Sequence, residues 1–477
     1  MSRALNVRDR VWALVAAAAV VGWGVTPVAA ADLGGDCCAD LEERIAELEA
    51  TTARKGNRKV SLEVSGHVNQ TVLYWDDGFE DNVGVYTNDN SRTRFRFKGK
   101  AKINADWEAG YIIEIGVRSA NSKRFTQDND LGDATATDVG LDIRDSNWYI
   151  KNKSLGTLAI GLQSTATDGV TEINQTQTAD FSKFSDVEDS GLGLNLRNSA
   201  SGLSSRYQYR RLIGVNGDQA GEGEKRFNGV RYTTPEFSGF SASAFWGEDD
   251  FWDVSLRYKG EFAGLKVAGG IGYGEVTDGL QTQTGCSASQ ANLGTTFTLN
   301  TASDADCKQF GGSVSVVHAE SGLFVNFAAG IKQDDLIADI TLFANPAVDA
   351  DDEDTFWAVQ AGIEQKWNAF GKTTIYGEYF DHNGGSNNRT IEGSFAGVGG
   401  GRAAVLSTGL ESYGFGVAQG FDAAALTLYI SYRHVKGDLT ASSIDNGADN
   451  GTADGVSINA VDLEDLDIVL AGGIIKF

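Results

Sequence analysis

Proline is nearly missing from this chain: Pro27, Pro235 and Pro346 are the only three in 477 residues. No proline-rich linker marks a domain boundary, and paired strands can run on without losing ladder donors. Long apolar runs are missing too. Beyond the N-terminus no stretch approaches the roughly 18 apolar residues that a membrane helix needs, so crossing helices are excluded there. Basic residues are the minority, 40 against 65 acidic, and the formal net charge is −25. That balance argues against nucleic acid as a partner. The four histidines, His67, His318, His382 and His434, are scattered. No HExxH, GxSxG or Walker pattern accompanies them, so the chain does not read as an enzyme. The four cysteines have no metal-ligand company, and no cofactor is expected. Cys286 and Cys307 share one polar segment between two strand candidates, which predicts a disulfide in an oxidising compartment. Cys37 and Cys38 are adjacent, and their state is left open.

The N-terminus explains why such a compartment is expected. Arg3, Arg8 and Arg10 precede an apolar run over 11–25, and small residues follow at VAAAD. A basic head, a short apolar middle and a small-residue cleavage site describe a secretory signal peptide over 1–31. Residues 32–58 then hold a short helix and linker on the periplasmic side. Leu41, Ile45 and Leu48 form one helical stripe, Asp40 caps its start and Gly56 ends it. A helix this short is not stable alone. It would bundle with neighbouring subunits, reach toward the cell wall, or dock on the body.

From residue 59 the apolar period changes to two and stays there. In VSLEVSGHVNQTVLYW, Val60, Leu62, Val64, Val68, Val72 and Tyr74 share one face, opposite Ser61, Glu63, Ser65, His67, Asn69 and Thr71. The span suits a tilted membrane strand of roughly 9–11 residues. SRTRFRFKGKAKI is more telling. Arg92, Arg94, Arg96, Lys98, Lys100 and Lys102 fall on one face, with Phe95, Phe97, Ala101 and Ile103 on the other. In a membrane barrel the basic face must line the lumen, because Lys or Arg at mid-depth in lipid costs roughly 2–4 kcal/mol. The same grammar recurs at Leu192, Leu194 and Leu196, at Tyr207 and Tyr209, and at Trp252, Val254, Leu256 and Tyr258, through to the closing DLDIVLAGGIIKF. In that last strand Gly472 and Gly473 leave the two faces ambiguous.

Connections alternate in length. Short ones fall at 104–106, 154–155, 235–238, 263–264, 321–322, 369–371 and 422–423. Long polar, acidic ones fall near 76–91, 120–143, 165–189, 277–306, 334–353, 384–408 and 438–461. Short turns on one rim and long loops on the other predict an all-β, transmembrane antiparallel β-barrel of 16–18 strands in the outer membrane, preceded by the short helix. Tyr74, Trp75, Trp107, Trp246, Trp252, Trp367 and Tyr379 cluster near strand ends, as an interfacial girdle requires. A barrel of that size cannot fill itself with wall side chains, and an aqueous channel remains. The 165–189 loop is the candidate constriction. It carries Asp168, Glu172, Asp180, Asp186, Glu188 and Asp189 against one base, Lys183, and the small Ala159 and Gly161 leave room for it. Its carboxylates would face a basic wall of Arg92, Arg94, Arg96, Arg118 and Arg144, setting a transverse field across the pore. Acidic extracellular loops would take divalent cations from the surrounding outer-membrane lipid.

NWYIKNKSLGTLAIGLQS followed by an acidic loop resembles the general bacterial porins at the strand pair before their inward-folded third loop. DLEERIAELEATTARKGNRKVSLEVSGHVN, GEDDFWDVSLRY and the terminal aromatic of IIKF are similar to the alphaproteobacterial branch of that family. The resemblance spans essentially the whole chain after the signal peptide. It implies a homotrimer, passive diffusion of ions and small hydrophilic solutes, and insertion by the barrel-assembly machinery guided by the C-terminal strand and Phe477. It also implies roles for the loop acids and for Arg94, Arg96 and Arg118. The family has 16 strands, whereas counting hairpins favours 18, a number that would suit a sugar-selective channel. Tethering the outer membrane to peptidoglycan through the 39–54 helix is compatible with either.

Overall fold

A computed structural model of the chain describes residues 60–129, 140–214, 218–223, 225–247, 251–277, 306–335, 351–385, 390–398, 401–443 and 457–477. The signal peptide, the 39–54 helix, Cys37, Cys38 and Cys286 lie outside the described residues. Sixteen antiparallel strands close into one barrel. They are β1 (Glu63–Asp76), β2 (Arg94–Lys102), β3 (Trp107–Arg118), β4 (Gly140–Asn152), β5 (Gly156–Ser164), β6 (Arg226–Thr233), β7 (Phe240–Gly247) and β8 (Phe251–Phe262). The wall continues through β9 (Leu265–Val276), β10 (Cys307–His318), β11 (Leu323–Asp334), β12 (Glu353–Gln365), β13 (Thr373–Gly385), β14 (Arg402–Phe421), β15 (Leu426–Ser443) and β16 (Leu466–Lys476). Neighbours in this order pair with one another, and β16 returns to β1 in register from His67↔Lys476 to Asp76↔Asp467. Phe477 completes the seam by exchanging backbone hydrogen bonds with Gly66 at 2.9 and 3.0 Å. Closure leaves no wall strand with an open edge, which lipid would not tolerate.

Alternation along each strand sets the two faces. On β8, Trp252, Val254 and Leu256 are exposed outside while Asp253 and Ser255 are buried inside. On β1, Val64 and Val68 face out, and Asn69 and Thr71 face in. Trp75 departs from the girdle expectation. It points inward and is buried beside Leu73. Trp246, Trp252 and Trp357 are exposed on the outer surface, and the last two pack against Tyr273 and Tyr379 at 5.5 and 4.9 Å. The ambiguous face of β16 resolves the same way. Leu466, Ile468, Leu470 and Ile474 are buried inside, and Val469 and Ile475 point out. Both of its faces are apolar because its inner face meets an apolar partner.

That partner also accounts for the strand count. The segments around Leu192–Leu196 and Tyr207–Tyr209 are not wall strands. Asn195–Arg197 and Ser204–Gln208 pair only with each other, as a two-stranded ribbon inside the connection from β5 to β6. The leucines alternate with polar residues, yet Leu192, Leu194 and Leu196 are fully buried, in one cluster with Leu73, Trp75, Phe181, Phe184, Tyr209, Val435, Ile468 and Leu470. Two segments with the period of membrane strands thus belong to an inward loop. Eighteen becomes sixteen, and the strand-count argument for a sugar-selective channel falls. The loop itself ends not at 189 but just before Arg226.

Candidate functional site

The connection from β5 to β6 is held along the inner wall by a series of rungs. At its start, Asp253 of β8 accepts from the backbone N–H groups of Ala166 (3.0 Å) and Thr167 (2.7 Å). Ser313 of β10 accepts from the N–H of Ile173 and donates to the carbonyl of Val170. Glu364 of β12 accepts from the N–H of Gln177 at 2.8 Å. Gln360 donates to the carbonyl of Ser182. Arg433 of β15, itself paired with Glu378 at 2.6 Å, donates to the carbonyl of Val187 at 3.0 Å. Asn69 of β1 donates to the carbonyl of Asp180, and Asn88 to that of Phe181. The Phe181 ring stacks on Tyr429 at 4.6 Å. The loop therefore lines the wall from β8 round to β1. Its return segment approaches so closely that glycines are needed. A Cβ on Gly330 would stand 2.3 Å from the Ala220 carbonyl oxygen, and one on Gly311 would stand 2.8 Å from Gly221 Cα.

Across from it, β2, β3 and β4 carry the arginines. Glu114 of β3, with a fully buried side chain, is their hub. It accepts from Arg94 Nη1 (3.4 Å), Arg96 Nε (2.7 Å) and Arg144 Nε (2.7 Å). Arg144 reaches the lumen through a β-bulge. Glu114 pairs with Asp145 and Ile115 with Ile143, so Arg144 is the extra residue of β4. The bulge turns Asp142, Arg144, Asp145 and Asn147 all inward, against simple alternation. Arg92 stands just before β2, and Asp142 binds Arg92 at 3.2 Å and Arg118 at 3.7 Å.

The loop carboxylates take other partners. Glu172 and Asp186 bind Lys183 at 2.5 and 2.7 Å and Lys225 at 3.4 and 3.1 Å. Glu188 and Asp189 bind Lys123 at 3.1 and 3.5 Å. Asp218 bridges Lys123 and Lys225. Asp180 binds Lys476 at 2.5 Å, and Asp168 reaches Arg226 at 3.8 Å. The oxygens of Asp186, Glu188 and Asp189 converge within 4.8 Å, the one grouping among the described residues that would suit a metal ion, and lysine ammonium groups already lie against it. Burial and the adjacent Asp186 carboxylate push Glu172 up to about 8, against an ordinary 4.5. Burial also opposes charge on Asp186, but Lys183 and Lys225 outweigh it and hold that carboxyl well below its usual range.

The predicted arginines and acids thus all line the interior but are not paired with each other. Each row has its own counterions. Sequence reasoning missed Asp142, Lys123, Asp218, Lys225 and Arg226 as members. The last three lie beyond residue 189, where the loop was expected to end: Lys225 directly precedes β6 and Arg226 opens it. Gly161 does not leave room for the loop. A Cβ there would meet the Ser146 carbonyl oxygen of β4 at 2.3 Å, so the neighbouring strand requires it. Cys307, at the start of β10, is disulfide-bonded.

The Gram-negative porin family model matches residues 13–461. Among solved structures the chain is similar to an anion-selective porin from Comamonas acidovorans, at 14% identity and a TM-score of 0.48, covering 88% of this chain and 100% of that one. It is also similar to OmpF of Salmonella typhi in complex with daunomycin (12%, 0.47, covering 88% and 99%) and to the outer membrane channel DcaP of Acinetobacter baumannii (11%, 0.45, covering 89% and 99%). No curated protein matches the chain.

Proposed function

The chain belongs to the Gram-negative porin family, and from that membership we propose that it is an outer-membrane channel for passive diffusion of ions and small hydrophilic solutes, narrowed where the 165–225 loop faces the arginine wall. One observation carries the reading. The loop is pinned to the wall from β8 to β1, while β2 to β6 present Arg94, Arg96, Arg144 and Arg226 from the other side. The passage runs between them. Each row keeps partial counterions: three arginines share Glu114, and the lysines Lys123, Lys183 and Lys225 serve the acids of the loop. A field across the gap orients water and polar solutes and disfavours apolar ones of the same size.

From the family the reading takes a homotrimer as the functional unit and insertion by the barrel-assembly machinery through the C-terminal strand and Phe477. From the acidic charge of the chain it takes divalent cations at the outer loops, and from the apolar stripe of residues 41–48 a tether to peptidoglycan as a second role. Reconstituted vesicles test the channel. Those loaded with impermeant polymer should swell in small sugars at rates that fall with sugar size. Vesicles that hold folded barrel and stay tight to every sugar would refute it.

A further inference from the structure

On the turn side of the arginine cluster lies a cavity of about 530 Å³ that the transverse field does not explain. Five cations line it: Arg96, Lys98, Lys100, Lys151 and Arg231. Two carboxylates, Glu108 and Asp145, oppose them. Backbone pairing shows how the wall builds it. Lys100 pairs with Gly110, Gly110 with Tyr149, Tyr149 with Ala159 and Ala159 with Arg231. Lys100 and Arg231 therefore bound one row whose middle is two small residues and a ring. Tyr149 folds over Gly110, where a Cβ would meet the ring at 2.4 Å, and its hydroxyl lies 3.3 Å from Glu108 Oε1. At 4.7–4.9 Å per strand, the row spans roughly 19 Å along the wall, a low floor between cationic posts. Along β2 the posts repeat every second residue from Arg94 to Lys102, roughly 7 Å apart, out to the short-turn rim.

The posts differ in what occupies them. Arg94 and Arg96 are engaged with Glu114, and Arg231 donates to the Ser164 carbonyl at 3.0 Å. No ion pair among the described residues engages Lys98, Lys100 or Lys151, and all three are exposed to the lumen. Successive posts on β2, roughly 7 Å apart, lie within one Debye length, about 8 Å at physiological salt, so their potentials add on an ion beside them. The attraction scales with the ion's charge. The geometry points to this vestibule as a binding site for small divalent oxyanions, the chemistry that inorganic phosphate and dicarboxylates share, and to an anion preference in a chain whose overall charge is −25. The inference rests on the channel reading and adds a solute class to it.

Planar-bilayer recording of the purified protein tests it, with inorganic phosphate and succinate as the probes. In a KCl gradient the reversal potential should show chloride preference. Phosphate, succinate or both should reduce the chloride current in a saturable way. Replacing the three free lysines together (Lys98→Gln, Lys100→Gln, Lys151→Gln) should move the reversal potential toward potassium and weaken the block about tenfold or more. Arginine at the same three positions should preserve the block, which separates charge from fold. Cation preference in the unmodified channel, no block by either probe, or a block unchanged in the glutamine variant would overturn the site. Each of those outcomes leaves a conducting channel. Absence of any conductance would instead fall on the diffusion reading.

Discussion

Glu172 and Asp186 sit side by side in the loop and divide one proton unequally. Burial raises Glu172 to about 8, and ionised Asp186 beside it adds to the rise. Unfolded, a Glu titrates near 4.5, so the folded chain binds that proton more tightly. The resulting stability is complete below about 4.5 and is lost as pH rises through about 8. Ionisation also adds a negative charge to the loop. Raising the pH from 6 to 9 should therefore shift the reversal potential toward cations, and Glu172→Gln should remove that part of the shift. A pH response identical in the two proteins would show that Glu172 does not change charge between pH 6 and 9. At this scale the sequence was only partly legible. Period-two alternation places Arg94, Arg96 and Glu114 on one face. It fails at Arg144 and Asp145, because a single extra residue reverses the parity of β4.

The loop from β5 to β6 shows how a pattern can be read correctly and assigned wrongly. Alternating leucines at 192–196 describe a strand with one apolar face, and such a face does exist. What faces it is the inner side of β1, β15 and β16 rather than lipid, and local periodicity carries no label for which apolar partner it meets. Burying a leucine is worth about 1.5–3 kcal/mol, so this interior cluster adds to the hydrogen-bonded rungs that hold the loop in place. Leu194→Ala should cost about 2–5 kcal/mol through the cavity it leaves, seen as a lower temperature for loss of the compact gel mobility of the folded barrel. An unchanged midpoint would show that the cluster does not anchor the loop. The return segment has a different anchor. Gly330→Ala would drive a Cβ into the Ala220 carbonyl, and open-channel current should become noisy. Gly377→Ala, whose Cβ meets nothing nearer than 3.8 Å, should leave it quiet. Equal noise in both would remove the seat as the cause.

For the molecule as a whole, the closed antiparallel barrel and its short turns were readable in advance. They depend on local pattern and on the demand that lipid makes of backbone polar groups. The number of strands was not readable, because it depends on tertiary burial of two segments inside the barrel. Partition of charge was not readable either. Net charge of −25 describes the whole chain, whereas inside the barrel the loop carboxylates already hold lysine ammonium groups. The central claim is that sixteen strands enclose a continuous wet path past the inward loop. Single-channel recording of the folded, purified protein in a planar bilayer tests it most directly. Discrete, ohmic current steps of uniform size in KCl are the expected result, and a bilayer that takes up folded barrel yet stays at its baseline conductance would contradict it.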